Sequence, residues 1–423
     1  MKLTKRCEVI VAITIFLIVV AMVGAAEAQI EPSFFGMGAV ASGDLPKVTY
    51  GILSHPPLSW TAIEGKGRGV YNFGPTDAFV NAAPKNANGV AQIDLVMGWT
   101  PGWAVAVKTH CLTQTSGTEI CTVPPDNIQD WTDFITELAG HYDGVHAPMV
   151  QYYEIWNEAN TPSFWTSSVT ELITMAKIAY PILKKNGYSQ VLTPSVAWTP
   201  SGTGWMGKYL SGGGNVVADG VSFHGYPEKT GKGVKLPVPL PESPVSTNAP
   251  IQSMIVYYRA VANANGMSGK PIMTTEGGWG VNGVSDPDMQ AAWITQYEIL
   301  QAGLATADNL AFQTWYTWGH APSGTIETTQ GQPTEAGLAY NEVIKWLVGT
   351  KPSPCTSKVN IWSCPVGTDL IVWDASQTCS NGSCTTGPYN APQGFVKYVD
   401  LTGAVHTING TIALGVKPIL LEP

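Results

Sequence analysis

One feature constrains this chain more than any other. Between Phe34 and Val348, short runs rich in apolar, aromatic or Thr residues alternate with longer amphipathic stretches. The short runs cover residues 35–40, 49–53, 93–98, 150–157, 191–196, 220–226, 271–276 and 310–315. Runs of this length and composition read as buried strands. The stretches between them read as helices. In 127–141, Trp131, Phe134, Ile135 and Leu138 fall at i, i+3, i+4 and i+7 and form one apolar face. Further helices are expected at 169–185, 251–265, 288–305 and 336–347. Eight strands alternating with helices over about 315 residues predict an α/β fold of the (β/α)8 TIM-barrel kind. A doubly wound sheet is the competing arrangement.

The two ends differ from this middle. Lys2, Lys5 and Arg6 precede an apolar run over 9–23, and Ala26-Glu27-Ala28 follows it. That order predicts a signal peptide over 1–28, with a mature chain starting near Gln29. An uncleaved anchor is the alternative, but the run is slightly short for a span. Cys7 precedes the apolar run, which argues against a lipoprotein anchor. The expectation is a secreted or periplasmic protein with no stable membrane anchor after cleavage. Beyond Gly349 helical periodicity stops, and β-rich runs separated by Gly, Asn, Ser and Pro begin. Residues 29–349 are expected to form the barrel, and 350–423 a small antiparallel β-sandwich-like domain behind a Pro-containing linker at 351–354. Six cysteines remain after the leader, in three local pairs: Cys111/Cys121, Cys355/Cys364 and Cys379/Cys384. Export makes disulfides the expected reading, and the absence of a C-x-x-C motif argues against a metal site.

Charge and motifs exclude several function classes. With 22 basic and 31 acidic residues and no basic cluster, a nucleic-acid partner is not expected. The 15 Trp and 16 Tyr suit a protein that stacks rings on neutral, hydroxyl-rich ligands. Gly202-Thr203-Gly204-Trp205-Met206-Gly207 matches G-x-G-x-x-G. No acid closes the strand that follows, so a nicotinamide site is not expected. No metal and no cofactor is expected.

Two glutamates carry the chemistry. Glu158 closes Tyr152-Tyr153-Glu154-Ile155-Trp156-Asn157-Glu158, and Glu276 closes Pro271-Ile272-Met273-Thr274-Thr275-Glu276. Both stand where a strand gives way to a loop, and a barrel enzyme aims its side chains from that end. Two carboxyls in different environments form the usual apparatus for breaking a glycosidic bond. No basic residue stands in either motif to make a merely structural ion pair. Glu154, four residues before Glu158, shares its strand face one layer deeper and is expected to hold a structural hydrogen bond.

Trp156-Asn157-Glu158 on the fourth strand and Thr275-Glu276-Gly277 on the seventh resemble the signature of clan A glycoside hydrolases. Gly98-Trp99-Thr100-Pro101-Gly102-Trp103-Ala104, Ser222-Phe223-His224-Gly225-Tyr226 and Trp315-Tyr316-Thr317-Trp318 are similar to stretches of family 39 and its unclassified bacterial relatives. The resemblance extends to the C-terminal β-domain. It implies a retaining double displacement on a carbohydrate substrate, with Glu158 as acid/base and Glu276 as nucleophile, their carboxyls about 5–5.5 Å apart. Glu158 then needs a raised pKa, for which Trp156 and Trp165 offer apolar surface, and Glu276 needs donors such as His224 and Tyr226. Asn157 is expected to bond the sugar 2-hydroxyl. Among Trp99, Trp103, Trp279, Trp315 and Trp318, two or three are expected to line the cleft, with Trp315 or Trp318 beneath the reacting sugar. One departure stands out. Relatives commonly carry an Arg at the end of the second strand, whereas this chain has none in 49–57 and offers His55 instead. The segments 227–250, 111–121 and 319–332 all follow strands and predict long walls and an open groove, hence endo-cleavage. Exo-action of β-xylosidase type, transglycosylation and a catalytically inactive carbohydrate-binding protein are the alternatives.

Overall fold

The structure, a computed structural model, describes residues 29–39, 45–55, 59–82, 85–86, 89–90, 92–114, 117–145, 150–198, 204–227, 250–278, 284, 286–318 and 331–423. The leader, Trp279, most of the 227–250 and 319–332 segments and the start of the G-x-G-x-x-G run lie outside these residues.

Eight parallel strands form the central sheet: β1 (Phe35–Ala39), β2 (Ile52–His55), β3 (Gln92–Val96), β4 (Tyr152–Glu154), β5 (Gln190–Leu192), β6 (Val221–Gly225), β7 (Ile272–Gly277) and β8 (Leu310–Trp318). Their order in space is β5-β4-β3-β2-β1-β8-β7-β6. Parallel bridges Leu192↔Gly220 and Ala197↔His224 join β5 to β6 and bring the ends of the sheet together. This is the (β/α)8 barrel that the alternation predicts. The strands are buried because helices cover them outside and side chains fill them inside.

The helices are α1 (Ser59–Glu64), α2 (Gly74–Ala82), α3 (Ile128–His141), α4 (Val169–Leu183), α5 (Trp205–Ser211), α6 (Ile251–Ala264), α7 (Pro287–Ala302) and α8 (Glu335–Leu347). In α3, Trp131, Phe134, Ile135 and Leu138 are all buried, and Asn127 caps the helix by accepting from the Gln129 amide. Ser168 and Glu171 start α4 with a reciprocal capping box. Helix α7 is buried almost all round, including Gln296, Glu298 and Gln301. Its inner face meets the barrel and its outer face meets the C-terminal β-structure. There the Gln296 amide donates to the Val416 carbonyl at 2.8 Å, and Lys417 pairs with Asp288.

The C-terminal region is antiparallel. Its six-stranded sheet has the order Thr356–Lys358, Ile361–Val366, Asp369–Asp374, Ile419–Glu422, Lys397–Val399, Val405–Thr407. Val372, Ile412, Leu414, Ile419 and Leu421 make a small core of its own. Cys355–Cys364 and Cys379–Cys384 are disulfides here, and Cys111–Cys121 ties a hairpin that follows β3.

Candidate active site

The chain after β4 leaves the sheet earlier than its composition indicates. Ladder pairing ends at Glu154, and Glu158 lies four residues on, with φ +37°. A left-handed glutamate is a strained residue that its surroundings must hold in place. Ser195, beyond β5, does this by accepting from the Glu158 amide at 3.0 Å. The Glu158 carbonyl then accepts from the Thr161 amide at 2.9 Å and closes a turn. The side chain is thereby aimed over the barrel mouth and remains 19% exposed.

Glu276 lies inside β7. Its register partner is His224 in β6, and pairing shifts by one residue between Phe223 and His224. Such a bulge re-aims the side chains beyond it. Here it brings His224 and Glu276 level. Just beyond, the Tyr297 side chain from α7 occupies the space that side chains on Gly225 and Gly277 would need. A Cβ on Gly277 would stand 1.8 Å from the Tyr297 hydroxyl, which donates to the Gly225 carbonyl at 2.8 Å.

The result is a compact polar cluster. His224 Nδ1 lies 2.9 Å from Glu158 Oε1 and 3.4 Å from Glu276 Oε2. The Tyr226 hydroxyl donates to Glu276 Oε2 at 2.8 Å. One atom each from Glu158, His224 and Glu276 lie within 4.8 Å of one another. The hydrogen bonds among these groups and the imidazole proton account for that clustering.

Burial lifts Glu276 to about 7, and the neighbouring Glu158 charge adds to the rise, while His224 and Tyr226 act against it. His224 is fully buried, which alone would lower it. The carboxylates of Glu276, Glu158 and Glu154 outweigh that and push it up to about 9. The histidine is therefore a cation at neutral pH, set between two carboxyls.

Other expected site residues are distributed unevenly. Asn157 is buried beside Glu158, and its Oδ1 has no hydrogen-bond partner among the described residues. Trp99 is half-buried just past β3, with φ +47°, and stacks on Phe164 at 5.7 Å. Trp103 is held by its indole N–H on the Glu64 carbonyl. His224 is 0% exposed and so presents no surface to a sugar. Trp315 and Trp318 correct the expectation of a sugar platform. Both are 0% exposed and packed in the core, because β8 is buried on both faces. The ring that β8 turns toward the site is Tyr316, half-buried and raised to about 12 by burial and by the Glu276 and Glu158 charges. Its peptide bond to Thr317 is cis. Nothing in the sequence singles it out within Trp315-Tyr316-Thr317-Trp318. The side chain of His55 lies outside the described residues.

No protein-family model matches the sequence, and no curated protein matches it. Solved structures do. A family 39 glycoside hydrolase from Bacteroides cellulosilyticus WH2 superposes with a TM-score of 0.64 at 18% identity, covering 93% of this chain and 82% of its own. A monomeric beta-xylosidase from Caulobacter crescentus CB15 gives 0.63 at 15% identity, covering 93% and 97%. A family 30 subfamily 8 xylanase from Clostridium acetobutylicum gives 0.55 at 11% identity, covering 94% of each. The chain has their fold. The superposition spans both the barrel and the β-structure that follows it.

Proposed function

We propose that this protein is a secreted retaining β-glycoside hydrolase, with Glu276 as nucleophile and Glu158 as acid/base. The observation that carries this reading is the approach of the two carboxyls, whose oxygens come within 4.8 Å at one end of the barrel. Retaining pairs stand about 5–5.5 Å apart, whereas inverting pairs stand about 6.5–9.5 Å apart to admit a water. The likeness in fold to family 39 and family 30 enzymes supports the same chemistry.

In the first step a Glu276 oxygen bonds the anomeric carbon as the glycosidic C–O bond breaks. The Glu158 proton goes to the leaving oxygen. In the second step a water oxygen replaces Glu276 on that carbon, and Glu158 takes the water's proton. His224 fits the first half: before attack its charge lies near Glu276 and favours the ionised nucleophile. Asn157, beside Glu158, is proposed to contact the sugar 2-hydroxyl. Tyr316 is placed to line the reacting subsite.

The substrate is proposed to be a polysaccharide or oligosaccharide cleaved internally. Supporting this, long segments follow β3, β6 and β8. The half-buried Trp99 also lines a cavity of about 180 Å³ with Thr61, Asn72, Gln114 and Thr118. These are aromatic and hydroxyl or amide groups of the kind that grip sugar units.

The test is Glu276→Gln, assayed on a panel of polysaccharides and aryl β-glycosides. Turnover of every substrate that the unaltered protein cleaves is expected to vanish, with the fold retained. A variant keeping more than a trace of activity overturns the assignment.

A further inference from the structure

Directly beneath the candidate site the barrel interior has a polar layer, in addition to an apolar cluster of Ile52, Leu192, Met273 and Phe312. Branched apolar side chains usually occupy that space. Here Ser54, Asp94, Glu154, Ser195, Ser222 and Thr275 are all buried in it. Two of them are carboxyls that the proposed mechanism does not use. Asp94 in β3 accepts from the Ser54 hydroxyl at 3.2 Å. Glu154 in β4 accepts from the Ser222 hydroxyl, which also contacts Thr275 Oγ1 at 2.6 Å. Register places Glu154 opposite Val96, so Asp94 is its diagonal neighbour on the lumen face. Neither carboxyl pairs with a Lys or Arg among the described residues, and each has one oxygen without a hydrogen-bond partner. The nearby cation is His224, whose Nε2 is also buried and unpartnered.

Two adjacent buried carboxyls that share one cation do not both ionise, because the second charge has nothing to offset its desolvation. Their surroundings decide which one does. Burial raises Glu154 too, but Glu154 accepts from the Ser222 hydroxyl, itself bonded to Thr275, and the charge of His224 acts against the rise. Asp94 has Ser54 and lies against Glu154, and burial with that repulsion pushes it well above the usual carboxylate range.

We propose that Glu154 is the positioning residue of this site: ionised beneath His224, it keeps the imidazole charged and facing Glu158 and Glu276, while Asp94 below holds a proton. Among the described residues, the other groups facing His224 are Glu158, Glu276, the more distant Asp94 and the Tyr226 ring at 6.1 Å, and none of these is a competing cation. The arrangement leaves Nδ1 of His224 permanently a donor to the two reacting carboxyls. The inference rests on the proposed double displacement for its purpose, but the charge state can be measured without turnover.

The experiment follows the His224 ring by NMR on the full chain carrying labelled histidine, with His224→Asn assigning its signal. It is paired with kcat/KM against pH on an aryl β-glycoside. Glu154→Gln is expected to lower the His224 pKa by about one unit or more, the usual size of a nearby opposite charge. Where His224 loses its charge, Glu276 loses support for its ionised form, so the acid limb of the rate profile is expected to move up. Ser222→Ala, a smaller change that removes a donor from Glu154, is expected to shift His224 the same way and guards against misfolding of the first variant. Asp94→Asn is expected to leave the His224 titration in place. Unchanged titration in Glu154→Gln and Ser222→Ala overturns the proposal. So does a fall in Asp94→Asn alone, since it would make Asp94 the ionised member. If the protein cleaves no glycoside, the NMR measurement still decides the charge states, and only the mechanism falls.

Discussion

Replacing Tyr226 by phenylalanine separates the two carboxyls more cleanly than replacing either one. The Tyr226 hydroxyl bonds Glu276 Oε2 at 2.8 Å and favours its ionised form, and burial already holds Glu276 at about 7. A hydrogen bond to a charged group contributes about 1.5–3 kcal/mol. Divided by about 1.4 kcal/mol per pH unit, its loss raises Glu276 by about one to two units. The sign follows from which form the bond favours: a phenyl ring without the hydroxyl cannot stabilise the anion, so the proton leaves at higher pH. At pH 7 the ionised fraction then falls from about half to about one-tenth or less. The expected result for Tyr226→Phe is a kcat/KM profile whose acid limb moves up by one to two units, with about tenfold or greater loss at pH 6. Much of that loss returns near pH 8.5. A uniform drop at every pH, or an acid limb that stays in place, refutes the reasoning that Tyr226 sets the ionisation of Glu276.

Other outcomes follow from the same structure. Glu158→Ala is expected to retain hydrolysis of substrates with good leaving groups and lose it on polysaccharide, with azide restoring turnover and yielding a β-glycosyl azide; product NMR checks this. Glu298, buried in α7 against Gln313, is raised well above the usual carboxylate range by burial, so its stability cost appears as pH rises from the unfolded carboxyl range. Glu298→Gln is therefore expected to raise the melting temperature at pH 8 relative to the unaltered protein and to change it little at pH 4.5. An equal loss at both values contradicts this. Trp99→Ala is expected to cut kcat/KM on polymer about tenfold, the scale of one aromatic stacking contact. Its effect on a small aryl glycoside is expected to be slight.

The barrel was legible because its signal is repeated eight times, and an error of several residues at any strand end does not alter the alternation. The ends themselves were less legible. The run 150–157 reads as one strand, yet ladder pairing stops at Glu154, and the Glu158 amide donates to the Ser195 hydroxyl. No local propensity encodes a partner 37 residues on. Glu158 and Glu276 stand out in the sequence as acids without nearby bases where strand-like runs give way to loops, and the structure brings their carboxyls together. The arrangement between them was not legible, because the bulge that brings His224 level with Glu276 is a property of two paired strands. The aromatic residues of β8 show the limit most clearly. Alternation separates faces only when one face is wet. A strand buried on both sides gives no sign that Tyr316, rather than Trp315 or Trp318, reaches the mouth. Small helices α1 and α5 were invisible because six or seven residues carry too little periodicity.

The central claim is that Glu276 forms a bond to the sugar and Glu158 does not. Incubating the protein with 2-deoxy-2-fluoro β-glycosides bearing a dinitrophenyl leaving group, then digesting it and sequencing the labelled peptide by mass spectrometry, tests this directly. The account predicts one sugar per chain, attached to Glu276 in the peptide containing Thr274-Thr275-Glu276-Gly277, and no label in Glu276→Gln. A label on Glu158 would contradict it, as would a released product that carries the inverted anomer.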